Sequence, residues 1–160
     1  MNEKKAQIWY TDLMVGISIF VIVILIYYTY AYSLNQEPND IASDLLMEAK
    51  AISSSLLTAG TPSNWNQSNV TIIGLTDGNQ RLMQDKLNMF ADMNYNESKR
   101  KFRTPYDFYF YLEDVNGSRI PIHGKEGIGL NASNAKNIVS ITRIAIYNSS
   151  LATMVVNIWQ

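Results

Sequence analysis

The chain has 160 residues, enough for one ordinary globular domain with an appendage but not for two full domains. It is 47% hydrophobic and only 17% charged, and its net charge of −1 comes without a basic block, which argues against a nucleic-acid-binding protein. It has no cysteine and one histidine. These counts exclude disulfides, thiol catalysis, cysteine-ligated metals and multi-histidine metal centres.

The first element along the chain is a long apolar helix. No charged residue occurs from Leu13 to Gln36, and the aliphatic and aromatic run shows no polar stripe at helical spacing. Roughly 20 helical residues cross the hydrocarbon core of a bilayer. Aromatic rings at both ends are typical of residues at the level of the lipid headgroups. We therefore predict a membrane-inserted helix over residues 7–36.

The flanking charges predict how this helix is oriented. Lys4 and Lys5 precede it, whereas several acidic residues follow it before the first basic residue, Lys50. By the positive-inside rule, the N-terminus is cytoplasmic and residues 37–160 form an extracytoplasmic head domain. A cleaved secretory signal peptide ending near Ala31-Tyr-Ser33 remains an alternative, although the apolar run is long for one. An anchor that is never processed is a second alternative.

The residues before the helix carry a resemblance to a known family. Lys4-Lys5-Ala6-Gln7, running directly into the apolar stretch, resembles the class III signal of archaeal type IV prepilins. The resemblance implies a leader at residues 1–6, cut between Ala6 and Gln7 by a prepilin peptidase. It also implies that the retained helix packs against other pilin subunits in the core of a filament.

One acidic residue lies close to this implied cleavage site. Many pilins of this type have an acid at the fifth mature position, whereas here Thr11 is fifth and Asp12 is sixth. A carboxylate at the edge of hydrocarbon is costly unless it is paired. The resemblance implies that Asp12 pairs with the new amine of Gln7 on a neighbouring subunit. The alternative is that Asp12 simply reaches the water at the headgroups.

The head is expected to begin with a second helix. Asp40 is a reasonable N-cap, and Gly60 followed by Pro62 is a normal stop. The apolar residues between them recur at spacings of three and four and so share one helix face. They are Ile41, Leu45, Ala49, Ile52 and Leu56.

The rest of the head is expected to be mainly antiparallel sheet. Asn116-Gly117 is a strong hairpin signal, and a second hairpin is predicted across 148–150. The fold class is therefore α+β, with a long hydrophobic helix, an amphipathic helix and a small antiparallel sheet. The predicted strands are 70–75, 106–112, 118–122, 138–147 and 152–159; residues 80–93 are predicted as a helix, and 94–103 and 124–137 as polar loops.

An extracytoplasmic head is open to N-glycosylation. The sequence has N-x-[S/T] sequons only on the C-terminal side of the apolar helix, most of them in or beside predicted turns. Ordinary turn asparagines are the alternative explanation. The candidate acceptors are Asn66, Asn69, Asn96, Asn116, Asn131 and Asn148.

No catalytic or cofactor site emerges from the motifs. Glu113 and Asp114 are adjacent on a predicted strand and so point to opposite faces. His123 has no evident acid or serine partner, and the glycines at 124, 127 and 129 lack the strand-to-helix context of a phosphate loop. We therefore expect no catalytic residues, no metal, no cofactor and no nucleic-acid partner.

Three functional classes follow in order. The first is a structural subunit or minor pilin of an archaeal type IV-like surface filament, anchored in the membrane before assembly, with a head that serves adhesion or carries glycans. The alternative is a single-pass membrane-anchored surface protein that binds a ligand and has no filament role. A membrane-tethered enzyme comes last, because the necessary residues are missing.

Overall fold

The chain divides into two units, Met1–Asp40 and Ile41–Gln160. A computed structural model describes residues 3–35, 41–133 and 135–160. In the first unit, helix α1 spans Glu3–Asn35. The predicted long apolar helix is therefore confirmed, and it begins before the predicted residue 7. Residue 36 and the proposed N-cap Asp40 lie outside the described residues.

Helix α2 opens the second unit at Ile41–Leu56. Its predicted apolar stripe is buried from Leu45 onward, whereas Ile41 is exposed. The helix ends at Leu56 rather than close to Gly60, because a later segment binds its terminal carbonyls. Leu75 N–H donates to Leu56 O at 2.8 Å, and Thr76 N–H donates to Thr58 O at 3.0 Å.

That later segment was predicted as a strand over 70–75, and this prediction is wrong. Only isolated bridges form there, Thr61 with Ile72 and Thr76 with Leu82. Gly74 packs so closely on the end of α2 that an added Cβ would lie 2.2 Å from the Gly60 nitrogen. The buried Trp65 Nε1–H donates to Gly74 O at 2.7 Å. The segment braces α2 instead of joining the sheet.

Two short helices follow, and both differ from the predictions. Helix α3 spans only Gln84–Asp92, because the expected first turn is not helical: Gln80 has φ 62° and Leu82 N–H donates to Ile146 O. Helix α4, Tyr95–Phe102, occupies the predicted polar loop. Its N-cap Asn94 accepts from Asn96 N–H, with Glu97 three residues after the cap. The sequence therefore carried a start signal for α4.

The sheet has five antiparallel strands: β1 Asp107–Glu113, β2 Arg119–Ile120, β3 Ile128–Gly129, β4 Ile138–Tyr147 and β5 Ser150–Trp159. The order is β2-β1-β5-β4, and β3 also pairs with β1. Strand β3 lies inside the predicted 124–137 loop. Its pairing with β1 places Gly129 (φ 117°) opposite Tyr109, with the Phe108 carbonyl where a Cβ would go.

Both predicted hairpins are confirmed, with shifted bounds. The Asn116-Gly117 turn is closed by Asp114, whose carboxylate accepts from the Asn116 and Ser118 N–H groups at 2.8 Å. The second turn is the two-residue loop Asn148-Ser149, where both φ values are positive, as a type I′ turn requires. Strand β5 consequently begins at Ser150, two residues earlier than predicted.

The head has one core between the sheet and its helices. Helix α2 packs on β4 and β5, and Phe90 of α3 meets the β1 aromatics. Its ring lies 6.4 Å from Phe108, 5.7 Å from Phe110 and 5.9 Å from Phe102 of α4. The α+β arrangement predicted from the sequence is confirmed.

This aromatic cluster makes the first prediction. Phe90→Ala lowers the free energy of unfolding by about 3–5 kcal/mol, because Phe90 is fully buried and its removal leaves a cavity. Urea unfolding of the full chain in detergent, followed by tryptophan fluorescence, measures the loss. Leu151→Ala is the control: Leu151 is 59% exposed, and we expect a change within about 0.5 kcal/mol. Equal effects of the two variants would contradict this assignment of the core.

Candidate membrane-spanning and assembly segment

The central part of α1 is long and apolar enough to cross a membrane. Residues Tyr10–Tyr32 form a 23-residue window of mean hydropathy 2.3. At 1.5 Å per residue this window is about 35 Å long, compared with about 30 Å for the hydrocarbon core of a bilayer. None of the window is buried. The core helix of a soluble protein would be mostly buried, so this helix presents an uncovered apolar surface.

The hydroxyl groups within this window are satisfied by the helix itself. Ser18 Oγ donates to Met14 O at 2.8 Å, and Thr29 Oγ1 donates to Leu25 O at 2.7 Å. Both bonds join residues four apart, the usual arrangement for hydroxyl side chains in helices. Because no water is present in hydrocarbon, such internal bonding lowers the cost of placing Ser18 and Thr29 there.

Tyrosines concentrate toward the C-terminal end of the window. Tyr27, Tyr28, Tyr30 and Tyr32 are each 66–70% exposed, and the rings of Tyr27 and Tyr28 meet edge to face at 5.9 Å. Tyr10 is exposed at the other end. Tyrosine has an apolar ring and a polar tip, so it is favoured where hydrocarbon meets water. The distribution matches two interfaces at the ends of a spanning helix.

Asp12 is an exposed carboxylate near the start of the same window. It makes no ion pair with any side chain that the structure describes. A carboxylate placed among apolar side chains is stabilised by a cation or by water. Asp12 can therefore accept a positively charged group from outside its own chain.

The predicted cleavage residues, Ala6 and Gln7, lie in the N-terminal part of α1, where the described backbone is helical. Lys4 and Lys5 precede them in the same helix. The basic residues, the small residue and the apolar window are thus consecutive parts of one helix.

The predicted glycan acceptors are all exposed, but their surroundings differ. Asn116 and Asn148 lie at the two hairpin turns, and Asn131 lies in the segment after β3. Asn66 and Asn69 share one loop, where Asn66 Oδ1 accepts from Ser68 N–H and Ser68 Oγ. The Asn96 sequon lies within α4, and its Ser98 is 1% exposed, with Oγ donating to Asn94 O. The Asn96 sequon is therefore only half accessible.

The head contains one compact polar cluster, and its geometry is structural. Asp107 Oδ1 accepts from Tyr95 OH at 2.8 Å and from Lys99 Nζ at 2.7 Å, so it ties β1 to α4. The hydrogen bond from Lys99 lowers the pKa of Asp107, and burial raises the pKa of Tyr95 above its usual value. Across the described ranges, no group of three or more histidine and acidic side chains is placed to hold a metal ion.

A cleft of about 180 Å³ lies beside this cluster. Its polar side chains are already engaged: Lys125 Nζ donates to Ala91 O, Ser98 Oγ donates to Asn94 O, and Tyr95 OH donates to Asp107. These bonds hold the helices to the sheet. The cleft does not present the few free, convergent polar groups that orient a small-molecule ligand.

His123 has an acidic neighbour that the sequence did not reveal. Its Nε2 lies 3.7 Å from Asp92 Oδ1 at the end of α3, and both side chains are about half exposed. The two residues are far apart in sequence and are brought together by the packing of α3 beside the 121–125 turn. An exposed pair of this kind contributes little to stability.

Comparison of the chain with models of protein families, with curated proteins and with solved structures found no match.

The Asp107 cluster makes the second prediction. Because the pKa of Asp107 is lowered in the folded state, its contribution is present above the unfolded pKa of about 3.9 and is lost as pH falls through the folded pKa. Asp107→Asn should therefore lower Tm at pH 7, with a difference that shrinks as the pH is reduced toward 2.

Thermal unfolding of the full chain in detergent, measured across this pH range, tests the effect. Glu126→Gln removes one exposed negative charge from the 124–127 segment and is the matched control, for which we expect the wild-type pH profile. A constant difference in Tm between Asp107→Asn and wild type at every pH would contradict the assignment.

Proposed function

We propose that this chain is a structural subunit or minor pilin of an archaeal type IV-like surface filament. One observation carries the proposal: α1 presents a 23-residue apolar window, none of it buried, with an exposed carboxylate near its start. Such a surface is stable only when lipid or other apolar helices cover it. A membrane-inserted precursor that later packs against copies of itself meets this requirement in both states.

The membrane stage precedes assembly. The window spans the bilayer with Lys4 and Lys5 on the cytoplasmic side, and the head, which begins with the acidic residues Asp44 and Glu48 of α2, lies outside. The partners at this stage are the membrane and a prepilin peptidase. The peptidase removes residues 1–6, and the cut between Ala6 and Gln7 creates a positively charged amine close to the membrane surface.

This new amine supplies the partner that Asp12 lacks. In a filament, Gln7 of an incoming subunit places its amine next to Asp12 of a neighbour, and the surrounding apolar helices exclude water. Opposite charges attract strongly in a low-dielectric environment, and an unpaired charge there is costly. The pairing therefore favours the register in which both charges are satisfied.

The head occupies the outer surface of the filament, where it serves adhesion and carries glycans. Five sequons have exposed acceptors at turns or in extended segments: Asn66, Asn69, Asn116, Asn131 and Asn148. We exclude Asn96 as an acceptor in the folded protein, because the side chain of Ser98 is buried beneath α4. The proposal assigns no enzymatic activity and no cofactor to the head.

A single-pass surface protein with a ligand-binding head is the competing proposal. It shares the membrane helix but gives Asp12 no assembly role and leaves the leader uncut. The filament proposal is favoured because the polar groups of the cleft beside Tyr95 are engaged within the head. The two proposals differ in the mature N-terminus and in the fate of Asp12 variants.

The third prediction concerns processing. The mature protein isolated from its membrane should begin at Gln7, as measured by intact mass and N-terminal peptide analysis. Ala6→Phe replaces the small residue before the cut and should leave Met1 in place, whereas Ala6→Gly keeps a small residue and should be processed normally. A wild-type chain that keeps Met1 would favour the unprocessed surface protein.

The fourth prediction concerns assembly. Asp12→Ala should enter the membrane at the wild-type level but decline in sheared filaments by more than about tenfold, because leaving one partner of a buried pair uncompensated costs about 3–5 kcal/mol. Quantitative immunoblots of membrane and filament fractions measure both. Asp44→Ala removes an exposed acid from α2 and should assemble normally. Wild-type incorporation of Asp12→Ala would count against the pairing.

A further inference from the structure

Strand β4 is an edge of the sheet, and most of its outer edge is open. It is the last strand in the order β2-β1-β5-β4 and pairs with β5 from Ile138 to Tyr147. On its other side, one end is covered: Leu82 N–H donates to Ile146 O, and Ile146 N–H donates to Gln80 O. The structure shows no backbone partner on this side for 138–144 among the described residues.

The bonds of Ile146 show which residues point their backbone groups away from β5. Alternate residues of a strand direct their N–H and C=O groups to the same side. Ile138, Ser140, Thr142 and Ile144 therefore share the outward direction of Ile146. Together they present unpaired donors and acceptors along seven residues, which is a template for another strand.

The side chains of these four residues do not protect the edge. All four are exposed, Ile138 by 49% and Ile144 by 67%. Natural edge strands are commonly protected by Lys, Pro or a bulge, and none of these occurs from 138 to 144. The only charged residue here, Arg143, lies on the opposite face, where its Nε–H donates to Ser53 Oγ of α2.

We propose that β4 pairs with β4 of a second copy of this chain, antiparallel and centred on Ile141. In this register Ile138 lies opposite Ile144 of the other copy, and Ser140 lies opposite Thr142. Apolar pairs and hydroxyl pairs of this kind stabilise antiparallel strands. The two copies of Arg143 are separated by four residues along the strand, about 13 Å, and do not oppose each other.

A second copy is the occupant because the edge is complementary to itself. The four outward residues map onto one another under a two-fold axis through Ile141, and no other antiparallel register pairs all four. A shift in one direction brings the covered Ile146 into the pairing, and a shift in the other leaves Ile144 without an outward partner from the same set. A two-fold interface of this kind closes on itself and yields a dimer.

This pairing does not depend on the proposed filament. Two copies anchored side by side in one membrane meet at a raised local concentration, which favours a contact too weak to form between freely diffusing chains. The β4 pair therefore links the heads whether or not the α1 helices later assemble.

Disulfide cross-linking tests the register directly, because the chain has no native cysteine. Ser140→Cys and Thr142→Cys are made in two differently tagged full-length chains, which are co-expressed in one membrane and oxidised. Opposed residues in a hydrogen-bonded pair have Cα atoms about 5.5 Å apart, within disulfide range. Two copies of S140C would lie roughly 9 Å apart, beyond that range. We expect the mixed pair to cross-link several times more than either variant alone.

Two controls make the result specific. S150C lies on the exposed hairpin of the same sheet and reports random collision in the membrane. Adding Ile144→Lys to both cysteine variants should abolish the cross-link, whereas Leu151→Lys, at a similarly exposed apolar residue off the edge, should preserve it.

Three results would overturn the proposal. They are a mixed-pair yield no greater than that of S150C, equal yields for S140C alone and for the mixed pair, and a T142C adduct to a different protein in place of the second copy. Unchanged cross-linking with Ile144→Lys would also reject the register.

Discussion

The apolar surface of α1 requires a cover, and this requirement constrains the rest of the protein. Its backbone bonds are made within the helix, and the hydroxyls of Ser18 and Thr29 are bonded to carbonyls one turn earlier. The helix therefore needs no polar partner along most of its length, only apolar neighbours that displace water. Lipid and other copies of α1 are both suitable neighbours. Asp12 is the exception, because a carboxylate distinguishes between them: it can reach headgroup water in a bilayer but needs a cation in a packed core.

The head, in contrast, uses much of its polar chemistry internally. Lys86 Nζ donates to two backbone carbonyls, Ala59 O and Thr76 O, and burial lowers its pKa. Lys99, Lys101 and Lys125 likewise donate to carbonyls of segments distant in sequence. These contacts fasten loops and short helices to the sheet, so charges that a linear reading places in one basic cluster are partly engaged inside the fold. What remains accessible is a set of turn asparagines and one open strand edge.

These two units offer two different kinds of contact. The α1 contact is apolar and extensive, and it depends on the medium around it. The β4 contact is made by backbone hydrogen bonds, so it depends on register and less on side-chain identity. If both operate, α1 holds neighbouring subunits together and β4 sets which heads pair. The sequons at Asn116 and Asn148 lie on hairpin turns, so glycans there would leave the outward groups of Ile138–Ile144 uncovered.

The sequence by itself determined the elements that depend on local chemistry. Hydrophobic periodicity determined α1 and α2, and Asn-Gly and Asn-Ser turns determined the two hairpins, because each pattern acts between residues close in the chain. Tertiary structure decided where α2 ends, since Leu75 takes the Leu56 carbonyl, and why 70–75 braces a helix instead of forming a strand. It also buried Ser98 within a sequon, joined His123 to Asp92 and placed β5 between β1 and β4, leaving β4 at the edge. These outcomes depend on which distant segments compete for the same hydrogen bonds and the same core, and no local pattern records that competition.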